Sequence, residues 1–245
     1  MAKTKSILFD FGGTLDSDGM NWKERFYPIY RCAGVDWTFR EFERCFFASD
    51  DALTAQTLKT ESFMEMLELQ VTKVLESGRI HNKKLAGRIA SFFAEESLCT
   101  LNRNKRLLRE LKSRYSLAIV SNFYGNLPAI CKELGLSPYF DVIIDSAQVG
   151  FLKPDPRIFN CALGALGAKP DQAVFVGDSV SRDMRGAKAL GMPHVWLEFV
   201  EPQTGLYLKT PQPYQIYRDQ KLKPCCKTDH IIHTLSELTQ LLLKR

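Results

Sequence analysis

The chain has 245 residues, a length that suits one medium-sized domain or a core carrying an insertion and excludes a many-domain assembly. With 45% hydrophobic and 25% charged residues, it has the make-up of a globular protein rather than a disordered chain or a small disulfide scaffold. The net charge of +5 is too mild to argue for nucleic acid as the partner, and the seven cysteines, odd in number and without a CxxC pair, give no zinc site or disulfide framework.

In chain order, Met1–Ser6 leads straight into an apolar strand, Ser6–Phe9, rather than a signal sequence, and no apolar run approaches the ~18 residues of a membrane span. The expectation is a cytoplasmic protein with reduced thiols and no membrane partner. More than a hundred residues then separate Asp10, at the end of this strand, from the end of the next one. That interval contains helix-like stretches at Trp22–Cys32, Thr38–Ala48, Glu61–Leu75 and Asn82–Glu96, and predicts a helical cap over residues 21–104. The core would comprise residues 1–20 and 105–245. Residues 17–105 carry 13 basic and 13 acidic side chains, so the +5 belongs to the core, where it suits small anions better than a nucleic-acid footprint.

Beyond the cap, apolar runs at Leu117–Val120, Val142–Ile144, Ala173–Val176 and His194–Leu197 alternate with helical patterns at Leu127–Leu134, Arg157–Leu166 and Arg182–Leu190. This alternation predicts an α/β fold with a doubly wound parallel sheet, whose ligands bind beyond the carboxyl ends of the strands. A long segment, Val200–Lys227, holds Tyr207, Tyr214, Tyr217 and the adjacent Cys225 and Cys226, which are given no role. An amphipathic helix is expected at Leu235–Leu243.

Four motifs follow successive strands. Asp10-Phe11-Gly12-Gly13-Thr14 puts a carboxylate beside glycines that let backbone approach a ligand closely; such a carboxylate can attack phosphorus or bind Mg²⁺. Ser121-Asn122 offers a hydroxyl and nearby N–H groups to a phosphoryl oxygen. Lys153-Pro154-Asp155-Pro156 holds a lysine just before a helix, where it can offset negative charge. Gly177-Asp178 through Asp183 sets two carboxylates five positions apart across a strand-to-helix turn, and with Asp10 these would complete a Mg²⁺ site.

With these motifs in order, the sequence resembles the haloacid dehalogenase-like hydrolase superfamily, in particular its phosphatase-like members with a helical cap. The resemblance implies Asp10 as nucleophile, Ser121, Asn122 and Lys153 around the phosphate, and Asp10, Asp178, Asp183 and the Gly12 backbone carbonyl around Mg²⁺. It implies a small phosphorylated substrate and leaves the oligomeric state open. At position 12 the sequence departs from the family, whose phosphatases carry there an aspartate that protonates the leaving group. Its loss removes a contribution of ~10²–10⁴-fold.

Four readings stay open. The enzyme works on good leaving groups; Asp16, Asp18 or a cap residue such as His81 replaces the acid; the protein binds a phosphorylated ligand or a partner and scarcely turns over; or it cleaves carbon–halogen or carbon–phosphorus bonds. The intact Asp178/Asp183 pair and the lack of an identifiable cap lysine count against the last.

Overall fold

The computed structural model describes residues 4–59, 61–200 and 229–243. Six strands, β1 (Ser6–Phe9), β2 (Ser116–Ser121), β3 (Val142–Asp145), β4 (Ala173–Gly177), β5 (His194–Leu197) and β6 (His230–Ile232), form one sheet in the order β3-β2-β1-β4-β5-β6. All five pairings are parallel, the arrangement expected from strands that alternate with crossover helices. Both faces of the sheet are covered, so β1 and β4 are buried at every position. On β1, Ile7 and Phe9 join one core, while Leu8 joins the other with Ala118, Val120, Phe159 and Phe175. Because the strand order reverses between β1 and β4, their carboxyl ends flank a crevice.

Four helices lie between β1 and β2: α1 (Trp22–Cys32), α2 (Phe39–Gln56), α3 (Phe63–Ser77) and α4 (Lys83–Lys112). The second and third begin with capping boxes, Thr38 with Glu41 and Ser62 with Glu65, that satisfy the orphan N–H groups of the first turn. An aromatic core holds them together: Phe26 stacks on Phe93 at 3.9 Å, and Phe42 packs against Tyr30 and Phe46. The Phe39, Phe42, Phe46 and Phe47 cluster thus belongs mainly to this interior, although Phe47 is exposed. Buried Leu101, Leu107, Leu108 and Leu111 carry α4 well past Glu96, so position 104 lies within a continuous helix.

The later helices are α5 (Leu127–Glu133), α6 (Ser146–Val149), α7 (Pro156–Leu166) and α8 (Arg185–Ala189). The helix expected at Arg182–Leu190 divides into a π turn, Val180–Met184, and the short α8. The N–H groups of Asp183 and Met184 both reach the Ser179 carbonyl, which widens that turn. The terminal helix expected at Leu235–Leu243 is instead a 3₁₀ turn, Leu235–Glu237, followed by a π turn, Thr239–Leu243. Strand β6 is absent from the sequence reading: with only three residues, two of them exposed, it gives little periodic signal. Residues 201–228, and with them the expected tyrosine-rich segment and the Cys225–Cys226 pair, lie outside the described residues.

Candidate active site

Asp10 leaves the end of β1, where its N–H still bonds the Val176 carbonyl of β4. Its Oδ1 accepts hydrogen bonds from the Phe11 N–H at 2.7 Å and Ser121 Oγ at 2.8 Å, and forms an ion pair with Lys153 Nζ at 2.7 Å. No hydrogen bond reaches Oδ2 among the described residues. Lys153 Nζ also lies 2.7 Å from Asp183 Oδ1, and both partners are buried. Burial works against the Lys153 ammonium, but the Asp10 and Asp183 carboxylates outweigh it and hold the group above the ordinary lysine range.

The structure brings Asp10, Asp178 and Asp183 together, each offering one oxygen within 4.8 Å of the others. Burial and then the charges of Asp10 and Asp183 push Asp178 well above the ordinary aspartate range. Asp183 is also raised, by burial and Asp10, against the opposing pull of Lys153. Three crowded carboxylates with hard oxygen donors, facing the charges of Lys153 and Arg182, fit a small divalent cation.

Local sequence explains this crowding. Gly13 has φ +88°, and a Cβ there would sit 2.7 Å from Asp178 Oδ2; a Cβ on Gly177 would collide with the Asp183 carboxylate. Thr14 Oγ1 donates to Asp178 Oδ1 at 2.9 Å, and Trp196 Nε1 donates to the Asp178 carbonyl at 2.9 Å. The sequence gives no separate role to Thr14, which closes the first motif, or to Trp196, which reads as an ordinary strand residue.

The remaining sequence candidates have other occupations. Both polar atoms of the Asn122 side chain hold the Lys153 backbone: Oδ1 accepts its N–H at 2.7 Å, and Nδ2 donates to its carbonyl at 3.2 Å. The side chain therefore orients the lysine. Asp16 is buried, and its two oxygens receive the Gly13 N–H, Trp22 Nε1, Arg25 Nη1 and Ser97 Oγ. These four donors commit Asp16 to joining the first motif to α1 and α4. Asp18 is gripped at both oxygens by Arg103 Nη2, at 2.8 Å each. His81 lines a cleft with Thr72, Leu75 and Glu76 at the turn between α3 and α4, a cleft that includes none of the motif residues. At the end of β3, Asp145 accepts the N–H groups of Gly125, Leu127 and Ala147 and shapes the turn after β2.

Helices α2 and α3 reach this turn too. Tyr124 donates its hydroxyl proton to Asp50 and receives Gln70 Nε2 at 3.1 Å, while the Leu58 N–H bonds the Tyr124 carbonyl at 2.7 Å. The helical segment between β1 and β2 is thus tied to the loop immediately after Ser121 and Asn122.

Fold and site together define a class: a doubly wound α/β protein with a lysine-bridged acidic centre at the carboxyl edge of its central strands. Residues 4–191 match the model of the haloacid dehalogenase-like hydrolases, and the chain belongs to that family. It is 35% identical over 127 residues to haloacid dehalogenase-like hydrolase domain-containing protein 3 of Bos taurus, covering 52% of this chain and 45% of the relative. It is also 35% identical over 118 residues to the glyceraldehyde 3-phosphate phosphatase of Pyrococcus furiosus, covering 47% and 46%. The matched stretches thus span less than half the length of these relatives. The magnesium-bound HAD-hydrolase YfnB of Bacillus subtilis shares the fold, with a TM-score of 0.55 at 16% identity and coverage of 99% of this chain and 100% of that one. No helix among the described residues is long and apolar enough to cross a membrane.

Proposed function

We propose that this hydrolase is a Mg²⁺-dependent phosphohydrolase of the cytoplasm, acting on a small phosphorylated metabolite through an aspartyl-phosphate at Asp10. One observation carries the reading: Asp10 Oδ1 is anchored by two hydrogen bonds and the Lys153 ion pair while Oδ2 accepts no hydrogen bond among the described residues, so one oxygen orients the carboxylate and the other can attack. The phosphatase name of the Pyrococcus furiosus relative supports the same chemistry.

In this reading Ser121 and Lys153 orient the nucleophile and meet the phosphoryl oxygens, Lys153 offsetting their charge. Asp10 Oδ2 attacks phosphorus in line with the departing oxygen. Water then attacks the aspartyl-phosphate at phosphorus, releasing phosphate and restoring the carboxylate. Asp10, Asp178, Asp183 and the Gly12 carbonyl would hold Mg²⁺, which supplies charge neutralisation to the phosphoryl group. Residues 21–104 would act as a cap over a core of residues 1–20 and 105–245, excluding water and selecting the substrate.

Release of phosphate from 4-nitrophenyl phosphate, with and without Mg²⁺, tests the proposal. Activity that requires Mg²⁺ and disappears in Asp10→Asn is expected; metal-independent activity, or an active Asp10→Asn, would sink it.

A second reading, a phospholigand- or partner-binding protein with little turnover, is favoured by the commitment of the Asp16 and Asp18 carboxylates to Arg25, Ser97 and Arg103. It predicts negligible hydrolysis of every ester, good leaving groups included.

A further inference from the structure

Position 12 lies two residues beyond Asp10, on the turn that carries the nucleophile. The room beside it is filled: a Cβ on Gly12 would lie 2.9 Å from Trp22 Nε1 and 3.3 Å from both Cδ1 and Cε2 of the same indole. This ring is not a flexible tip that could move aside. Its Nε1 donates to Asp16 Oδ2 at 2.8 Å, and Asp16 is in turn held by Arg25 Nη1 at 2.8 Å and Ser97 Oγ at 3.1 Å. Edge-to-face contacts with Phe93, Phe123, Phe26 and Phe63, at centroid distances of 5.1, 5.8, 6.4 and 6.4 Å, hold it from the other sides.

Phe123 follows Ser121 by two residues, as Gly12 follows Asp10. Gly12, Trp22 and Phe123 thus form a contiguous set, with Gly12 and Phe123 each two residues beyond a motif residue and none of the three carrying a titratable side chain. Among the described residues, Asp16 is engaged as above, Thr14 with Asp178, Lys153 with Asp10 and Asp183, and Asp50 with the Tyr124 hydroxyl.

We propose that Trp22 is a specificity-determining residue: its indole takes the space from which a side chain at position 12 would protonate the leaving group, and it confines turnover to phosphoryl donors whose leaving group departs as a stable anion. The inference rests on the phosphohydrolase reading and names its substrate class, acyl phosphates and phosphates of acidic hydroxyl groups. In the first step the Asp10 Oδ2–phosphorus bond forms as the bond from phosphorus to the leaving oxygen breaks, and that oxygen keeps the electron pair. An alkoxide departing in this way is a poor leaving group; a carboxylate or nitrophenolate departs readily without a proton. In the second step water oxygen binds phosphorus, the electron pair of the breaking bond returns to Asp10, and the water proton passes to solvent.

The test is kcat/KM with Mg²⁺ for acetyl, 4-nitrophenyl, phenyl and ethyl phosphates, in wild type, Gly12→Asp, Trp22→Ala and Gly12→Asp/Trp22→Leu, with melting temperatures to confirm folding. Wild type should lose at least ~10²-fold between the nitrophenyl and ethyl esters, the scale of missing acid catalysis. Gly12→Asp alone should keep this steep dependence because the indole denies the carboxyl its place, whereas the double variant should flatten it. Trp22→Ala opens the space without filling it, so formate or imidazole should restore ethyl phosphate hydrolysis in that variant and leave wild type unchanged. This rescue keeps the proposal falsifiable if the double variant does not fold. A flat wild-type series, full flattening by Gly12→Asp alone, or no rescue in folded Trp22→Ala would overturn the role of Trp22 while leaving a phosphohydrolase. Absence of Asp10-dependent hydrolysis for all four compounds would overturn both.

Discussion

Lys153 Nζ lies 2.7 Å from Asp10 Oδ1 and 2.7 Å from Asp183 Oδ1, so one buried ammonium ties the end of β1 to the turn that follows β4. Lys153→Met would break both ion pairs and leave Arg182 as the remaining cation acting on these carboxylates. We expect it to lower kcat/KM for 4-nitrophenyl phosphate by ~10²-fold or more and to destabilise the metal-free protein by ~3–5 kcal/mol. Since Lys153 is held above the ordinary lysine range, its stabilisation is complete below about pH 10.4 and is lost as pH rises further. The stability difference between wild type and Lys153→Met, measured by denaturant titration, should therefore stay level from neutral to mildly alkaline pH.

Asp178 and Asp183 have the opposite linkage. Both are raised, so the native state binds protons more tightly than the unfolded chain, and their ionisation costs stability at neutral pH. In metal-free protein, Asp178→Asn should raise the melting temperature at pH 7, with the gain shrinking as pH falls below about 4, where the unfolded carboxyl is itself protonated. Saturating Mg²⁺ should stabilise wild type and act more weakly on the variant. A variant less stable than metal-free wild type at pH 7 would contradict the crowding of charge.

Arg25 and Asp16 form a buried pair, and the guanidinium also lies 4.0 Å from the Phe93 ring centroid and donates to Ser97 Oγ at 2.8 Å. Removing one member of such a pair strands the other, so Arg25→Met should cost ~3–5 kcal/mol in chemical denaturation. If Asp16 serves architecture rather than proton transfer, Asp16→Asn should lower stability while leaving the shape of the pH–rate profile unchanged. Loss of the basic limb in that variant would assign Asp16 the proton instead.

With no free base found beside Asp10 among the described residues, hydrolysis of the aspartyl-phosphate should be slow and common to all good substrates. Stopped-flow mixing with 4-nitrophenyl phosphate should show a burst of nitrophenolate close to one equivalent per active site, and kcat should level off among the best leaving groups while kcat/KM still varies. Linear release from the first turnover would place the slow step before or at phosphoryl transfer.

Strands β1 to β5 were legible because each is a short apolar run followed by a turn motif, and their parallel pairing followed from the alternation of strands with helices. The gathering of Asp10, Ser121, Lys153, Asp178 and Asp183 was legible for the same reason, since each follows a strand or opens a helix at one edge of the sheet. The far end of α4 was missed although Leu101, Leu107, Leu108 and Leu111 continue its buried stripe. The π turn at Val180–Met184 depends on Ser179 accepting two backbone bonds, which leaves no periodic trace. The Trp22–Gly12 contact joins positions on either side of a turn, and the commitment of Asn122 to the Lys153 backbone joins two loops. Such tertiary pairings carry no spacing signature, so the sequence exposed an absent side chain at position 12 and gave no sign of what fills its place.

Covalent capture at Asp10 tests the central claim most directly. Protein mixed with Mg²⁺ and 4-nitrophenyl phosphate, quenched in acid during the burst and analysed by peptide mass spectrometry, should carry one phosphoryl group on Asp10, and Asp10→Asn should carry none. Active protein that shows no phosphoryl group on Asp10 under these conditions would contradict the account.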